Sequence, residues 1–369
     1  MQQGVEVAEL KFNCSGCGAS VEYEPGTLNM KCPFCSKEQP IPIPQRPIVE
    51  HAFNELDPVP HATAEGFGTA ARFFKCDKCG ATSALPGTQM TSKCAFCDSP
   101  IVVEVPPIPG MVAPESLVPF AIDKARGGTL FKDWISGLWF RPSDLKQRAM
   151  LSQINGAYAP HFTFDSNAYS RWTGYAGHYY YVTESYTAVV NGKSVRQTRQ
   201  VQKIRWEYRS GTHGAFYDDE LVVASTGIVK ERIGRIYPYN LAGLVPYSPE
   251  FLAGFGAEAY SVDPRACWDV ARGRMQESER KSCSALLDGD TQRDLVVQSE
   301  FSDIKWKHLL LPLYIASYRY GDKVFAFMVN GQTGKIDGDA PYSWAKIGAV
   351  VAGVAIGVAV VVAKLVGWF

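Results

Sequence analysis

Eight of the ten cysteines fall in four Cys-x-x-Cys pairs: Cys14/Cys17, Cys32/Cys35, Cys76/Cys79 and Cys94/Cys97. A thiolate is a soft ligand that suits zinc, and zinc takes four ligands in a tetrahedron. One Cys-x-x-Cys turn brings two sulfurs to one side of the metal, and a second turn across a short hairpin supplies the other two. The pairs therefore group as Cys14, Cys17, Cys32 and Cys35 around one ion and Cys76, Cys79, Cys94 and Cys97 around another. Four cysteines close the coordination shell, so the expected zincs are structural, and a module with so little apolar core needs its metal to fold. Disulfide or redox pairs, or one zinc shared between the modules, are the alternatives. Matched quartets argue against the redox reading.

The quartets lie in an internal repeat. Phe12 to Ala19, FNCSGCGA, returns as Phe74 to Ala81, FKCDKCGA; Pro25-Gly26-Thr27 returns as Pro86-Gly87-Thr88; Lys31 to Cys35, KCPFC, returns as Lys93 to Cys97, KCAFC. Two copies of one small module is the economical reading. They set zinc ribbon 1 at 10–38 and zinc ribbon 2 at 72–104. Proline crowds the stretches at 39–69 and 105–115, which read as semi-rigid linkers.

The body, 116–345, mixes helical and strand-like patterns, so the expected class is α+β, rich in aromatics. Ile122, Ala125, Leu130, Phe131, Trp134 and Leu138 sit at roughly helical spacing. Asp263-Pro264 and Ser248-Pro249 each offer a cap followed by a proline suited to a first turn. Asn191-Gly192 permits the positive φ of a tight turn and predicts a long hairpin from Tyr179 to Tyr208. Gly321-Asp322 predicts a second, from Leu309 to Val329.

The last segment changes character. Ile347 to Ala363 carries no polar side chain, with Lys346 and Lys364 beside it. About twenty residues of helix match the roughly 30 Å of a bilayer core, so 346–366 reads as one transmembrane helix. Tyr342, Trp344, Trp368 and Phe369 stand where interfacial aromatics belong. Ala349, Gly353 and Gly357 share one face and Ala355, Ala359 and Ala363 another, which would let two such helices approach closely. The N-terminus has neither a basic n-region nor an apolar h-region, so no secretory signal is read. Reduced thiols then place the bulk in the cytosol, on the inner face of the cytoplasmic membrane.

Other candidates are weaker. Gly331 to Ile336, GQTGKI, resembles part of a phosphate-binding loop but has Val329 and Ile336 where Gly and Ser or Thr are required. It reads as a turn at a strand end. Asp218-Asp219-Glu220 reads as a solvated turn in preference to a metal site. Cys267 and Cys283 read as buried thiols on one helix, and His51, His61, His161, His178, His213 and His308 show no ligand spacing. In ribbon 2, Arg72, Lys75, Lys78 and Lys93 lie near Phe73, Phe74 and Phe96, a pattern that could meet nucleic acid or form the ribbon's own core. Basic and acidic residues balance at 37 each, which argues against a protein devoted to phosphate backbones. No catalytic or cofactor-binding residues are assigned, and an enzyme is not expected.

Beyond the two ribbons, Leu117-Val118-Pro119-Phe120, Tyr158-Ala159-Pro160, Phe164-Asp165, Leu244-Val245-Pro246-Tyr247, Trp306-Lys307-His308 and Val329 to Gly334 follow in order. With these motifs the chain resembles a family of bacterial zinc-ribbon proteins that often carry a membrane helix. Some relatives are encoded beside phage-shock and flotillin-like (SPFH) genes, and some carry a label as primosomal protein N′, a superfamily II helicase. The resemblance implies an adaptor that recruits membrane-stress scaffolds. The helicase label rests on the zinc cysteines alone, since the nucleotide-binding loop that a helicase requires is absent from the sequence. A nucleic-acid-binding protein and an enzyme with a site in the body are the competing readings.

Overall fold

The computed structural model describes residues 12–56, 71–78, 80–86, 94, 99, 102–106, 112–151, 154–190, 192–226 and 232–365. Ribbon 1 contributes β1 (Glu22–Tyr23), β2 (Asn29–Lys31) and β3 (Glu38–Pro40), an antiparallel three-stranded sheet. Its Pro25-Gly26 turn uses a positive φ at Gly26, and the Gly26 N–H donates to the Phe120 carbonyl at 2.7 Å. Tyr23 is buried, packs edge-on against Phe251 with ring centroids 5.2 Å apart, and donates its hydroxyl to Phe120 O. The first ribbon is thus seated on the body.

The stretch read as a linker at 39–69 is also engaged where it is described. Ile41 is buried in the body's core, and β4 (His51–Ala52) pairs antiparallel with a long strand of the body at Lys305 and Trp306. Ribbon 2 supplies β5 (Ala71–Cys76), β6 (Thr82–Pro86) and β7 (Val102–Val105). These join the body's sheet rather than closing a separate one.

The body opens with β8 (Ser116–Leu117), α1 (Lys124–Gly137), α2 (Leu145–Arg148) and β9 (Met150–Leu151). Asp123 caps α1 by accepting from the Arg126 N–H, and Gly127, Phe131 and Ile135, one turn apart, form its buried stripe. Two very long strands follow, β10 (Asn155–Val190) and β11 (Lys193–Val223), paired antiparallel from Val190 and Lys193 onward, with Gly192 at a φ of 73° before β11. After β12 (Val245–Pro246) and β13 (Gly256–Glu258) comes α3 (Pro264–Leu286), capped by Asp263 as its sequence predicts. The third long strand is β14 (Thr291–Tyr320), turned by Gly321-Asp322 into β15 (Lys323–Asn330); β16 (Ile336–Gly338) and α4 (Trp344–Leu365) complete the described chain.

One thirteen-stranded sheet collects these strands, with β10 between β11 and β14. Ribbon 2 enters it where β6 pairs with β13, which lies parallel to β10. The chain mixes α and β as expected, but the body is mostly strand. The expected hairpin at Tyr179 is only the far end of a strand that begins at Asn155.

Burial along β10 falls in three zones. From Gly156 to Ser166 every residue is buried; from Asn167 to Gly177 burial alternates wherever α3 covers one face; from His178 to Val189 no residue is buried, and most are exposed. β14 ends at Gly177's partner Thr291, so residues past that point form a two-stranded arm. At about 3.3 Å per residue, His178 to Val190 reaches about 40 Å along the strand path.

Asp218-Asp219-Glu220 does not form a solvated turn. It lies inside β11, where Asp219 takes a positive φ and the β10–β11 register slips between Phe164 and Ser166. The bulge turns the Asp219 backbone N–H onto the Asp165 carboxylate at 2.8 Å, which offsets the cost of that backbone conformation.

Candidate metal centre

The four cysteines of ribbon 1 converge. Their sulfurs lie within 4.8 Å of one another, with Cys14 Sγ 3.4 Å from Cys35 Sγ and Cys17 Sγ 3.5 Å from Cys32 Sγ. Those distances are far above the roughly 2.05 Å of a disulfide. They fall a few tenths of an ångström short of the edge of about 3.8 Å that a tetrahedron with Zn–S near 2.3 Å would have. Cys14 and Cys32 are buried and Cys17 and Cys35 exposed, so the site faces solvent on one side.

Backbone donors support the sulfurs. The Gly16 N–H donates to Cys14 Sγ at 3.3 Å. Backbone N–H groups of Cys17 and Gly16 draw the Cys14 thiol down to about 6, and that of Cys35 lowers Cys32. The Lys37 N–H acts the same way on Cys35, but crowding by the Cys14 and Cys17 sulfurs outweighs it and pushes Cys35 up to about 12. Four thiols this close cannot all ionise unaided; a soft dication is what the donor set fits.

In ribbon 2, Cys76 and Cys94 are buried in one small core cluster, while Cys79 and Cys97 lie outside the described residues. The knuckle backbone repeats that of ribbon 1. Cys14 N–H donates to Ala19 O and Gly18 N–H to Cys14 O; Cys76 N–H donates to Ala81 O and Gly80 N–H to Cys76 O. Gly18 and Gly80 share a φ of 74° and 75°. Cys32 and Cys94 likewise each donate to the carbonyl five residues on, Lys37 and Ser99. Of the aromatics that could meet bases, Phe73 and Phe74 are buried; Phe96 and Lys93 lie outside the described residues, and Lys75 and Lys78 are exposed.

A second acidic group comprises Glu50, Asp165 and Asp219. The Lys307 ammonium already lies among them, 2.9 Å from Glu50 Oε1 and 2.6 Å from Asp219 Oδ1. Burial raises the Asp165 carboxyl and its contact with Glu50 adds to this, to about 6, against the pull of the Asp219 N–H. With His51 3.1 Å from Glu115, the cluster fastens residues 50–52 to the sheet.

A polar hub escaped the sequence reading. Glu279, fully buried on α3, accepts from Ser170 Oγ at 2.7 Å and Tyr217 OH at 2.9 Å, and pairs with His213 Nδ1 at 2.8 Å. Burial alone would raise this carboxyl; the three partners outweigh it and hold it below the ordinary value. The signal was present: Cys267, Ala271, Met275, Glu279 and Cys283 recur every four residues on the buried face, and one of them is charged. Of the other histidines, His161 and His308 are buried, which pushes them down to about 3 and about 4, so both are neutral structural groups. His61 lies outside the described residues, and the Gly331–Gly334 segment is the turn after β15.

The arm and α4 are the exposed extremes. Tyr179, Tyr180, Tyr181, Tyr186 and Val189 are exposed on the arm. Its basic residues Arg199 and Lys203 share Glu184, and Arg205 reaches Glu207 just below the arm, so five basic residues, Lys193 and Arg196 among them, meet two carboxylates. α4 is long and apolar enough to cross a membrane over Trp344–Lys364, and none of that span is buried. A Cβ at Gly348, Gly353 or Gly357 would meet nothing.

The chain is similar to the uncharacterized protein YdjG of Bacillus subtilis (strain 168), 25% identical over 257 residues that cover 67% of this chain and 70% of that one. No family model matches the chain. No solved structure matches it.

Proposed function

We propose that this protein is a membrane-tethered zinc-ribbon adaptor, with α4 as its single span and the ribbons and body on the cytosolic face. The observation that carries the reading is the placement of two exposed extremes at opposite ends of one rigid sheet. The foot of α4 is bound to the body beside the C-terminal end of β14, where Tyr318 donates to Asp339 O. The arm projects past the other end of β14, beyond Thr291. A sheet held between a bilayer and a free tyrosine-rich hairpin suits holding a protein partner away from the membrane. An isolated two-stranded hairpin is only marginally stable in water, so a partner for it is expected.

Each ribbon holds one structural zinc, Cys14, Cys17, Cys32 and Cys35 in the first and Cys76, Cys79, Cys94 and Cys97 in the second. The matching knuckle hydrogen bonds support the second ion. The partners are membrane-stress scaffolds of the SPFH or phage-shock kind, and the Ala349, Gly353 and Gly357 face of α4 pairs two copies in lipid. The basic excess of the arm favours nucleic acid as the second reading, there rather than at the buried Phe73 and Phe74.

Crosslinking in membranes, followed by identification of the captured partners and zinc analysis of the same purified chain, tests the proposal. Two zincs per chain with scaffold proteins attached is the expected result, and Cys14→Ser with Cys32→Ser lowers the zinc to one. Salt-sensitive capture of nucleic acid instead would replace the adaptor reading with the second.

A further inference from the structure

The turn that follows α1 exposes two large aromatics side by side. Trp139 is 63% exposed and Phe140 45%, with ring centroids 5.5 Å apart. Isolated exposed aromatics are ordinary, but this pair is fastened to one place. The Ser343 N–H donates to Phe140 O at 2.8 Å, Arg141 Nη1 donates to Ala340 O at 2.6 Å, and the Arg141 guanidinium lies 3.9 Å from the centroid of the Tyr342 ring. Trp344, 78% exposed, begins the apolar helix, and Tyr342, 61% exposed, lies two residues before it. The turn is therefore hydrogen-bonded to the segment leading into α4, which brings the Phe140 backbone to the residue just before that helix.

We propose that Trp139 and Phe140 form a second membrane contact, inserted in the lipid interface beside α4, so that the body sits on the bilayer by two points instead of swinging on one. This rests on reading α4 as a span. Aromatic rings partition to the headgroup level, where an apolar body and a polar edge are both satisfied. The occupant is lipid rather than protein because the pair is continuous with Tyr342 and Trp344 at the foot of the helix. Attraction to anionic headgroups does not explain it: the cleft beside the turn sets Arg141, Arg235 and Lys323 against Asp322, Asp337 and Asp339. A body held at two points fixes the direction in which β10 and β11 leave the membrane, and hence where the arm presents itself.

The test uses the full chain, labelled with 5-fluorotryptophan, in phosphatidylcholine nanodiscs containing a spin-labelled lipid. Trp139→Phe assigns the Trp139 fluorine resonance among the eight tryptophans. The expected result is a several-fold loss of the Trp139 and Trp344 signals, with the buried Trp306 unchanged. Loss at Trp344 with Trp139 intact overturns the second contact and leaves the span standing. No loss at either overturns both. Loss at Trp139 only when anionic lipid is added also overturns the proposal, because the contact would then be electrostatic.

Discussion

The two ends of β10 are one strand in two environments. Between Gly156 and Ser166 it is covered on both faces, and Trp306 to Tyr314 on β14, the partners of Gly156 to Phe164, are buried too. From His178 to Val189 the same pairing with β11 continues with no residue buried; the turn before β14 reaches it at its root, where the Tyr179 N–H donates to the Asp290 carboxylate. The hydrogen-bond ladder does not distinguish the two halves; burial does. Backbone pairing fixes the shape of a strand, while apolar area removed from water supplies most of the stability. The base is thus a folded core that the arm extends, and the arm is ordered by continuity with it. Arg293 marks the boundary, its guanidinium 4.3 Å from the Trp206 ring and 5.1 Å from that of Tyr175.

The hardest test of this comparison is at the base. Phe164 is fully buried and packs against Trp268 of α3 at 5.6 Å between centroids. Phe164→Ala should cost about 3–5 kcal/mol, through lost burial and the cavity left behind. Urea unfolding of the full chain in detergent, followed by circular dichroism, measures it. A loss below about 1 kcal/mol would mean that the base is no better packed than the arm.

The middle zone should respond less, and with pH. Glu279 is held below 4.5, so its contribution is complete above that value and is lost as pH falls through its folded pKa. Glu279→Ala should cost about 1–3 kcal/mol at neutral pH, because Ser170, Tyr217 and His213 lose their acceptor, and should flatten the acid limb of a melting-temperature profile. Asp165 behaves oppositely. Its carboxyl is raised from 3.8 to about 6, so the folded chain binds the proton more tightly and stability falls as pH rises across that window. Asp165→Asn should remove that slope. A slope unchanged in the variant would assign it to another group.

Much of this was legible in sequence, and the rest was hidden for identifiable reasons. Both hairpin turns announced themselves through Asn191-Gly192 and Gly321-Asp322, and Asp263-Pro264 marked the start of α3. The cysteine spacing located to the residue the four-cysteine cluster of ribbon 1 that could hold a metal ion. The length of β10 did not show. Its base is buried on both faces and so has no alternation, and the buried face of its middle zone carries Ala168, Ser170, Gly174 and Ala176, with Trp172 its one large apolar side chain, too little to register as an apolar stripe. Asp219 looked like a turn because acidic clusters usually are solvated; only its long-range partners Asp165 and Lys307 reveal a bulge. The seating of ribbon 1 depends on Tyr23 meeting Phe120 and Phe251, contacts that no local pattern encodes.

The smallest effect on stability is expected at the arm, and there it should be separable from function. Tyr181 is 64% exposed and makes no aromatic or ionic contact among the described residues. Tyr181→Ala should change the unfolding free energy by no more than about 0.5 kcal/mol, as for an ordinary surface position. In the crosslinking experiment the same variant, and more so Tyr181→Ala combined with Tyr186→Ala, should lower partner capture several-fold, since exposed tyrosines supply contact area at little entropic cost. The two readouts divide the base from the arm: one reports core packing and the other an unpartnered surface. A Tyr181 variant that unfolds would make the arm part of the core. Full capture by the double variant, with the fold intact, would move the partner surface off the arm and onto the ribbons, where the exposed Phe34 at the second cysteine knuckle of the first ribbon is the next side chain to remove.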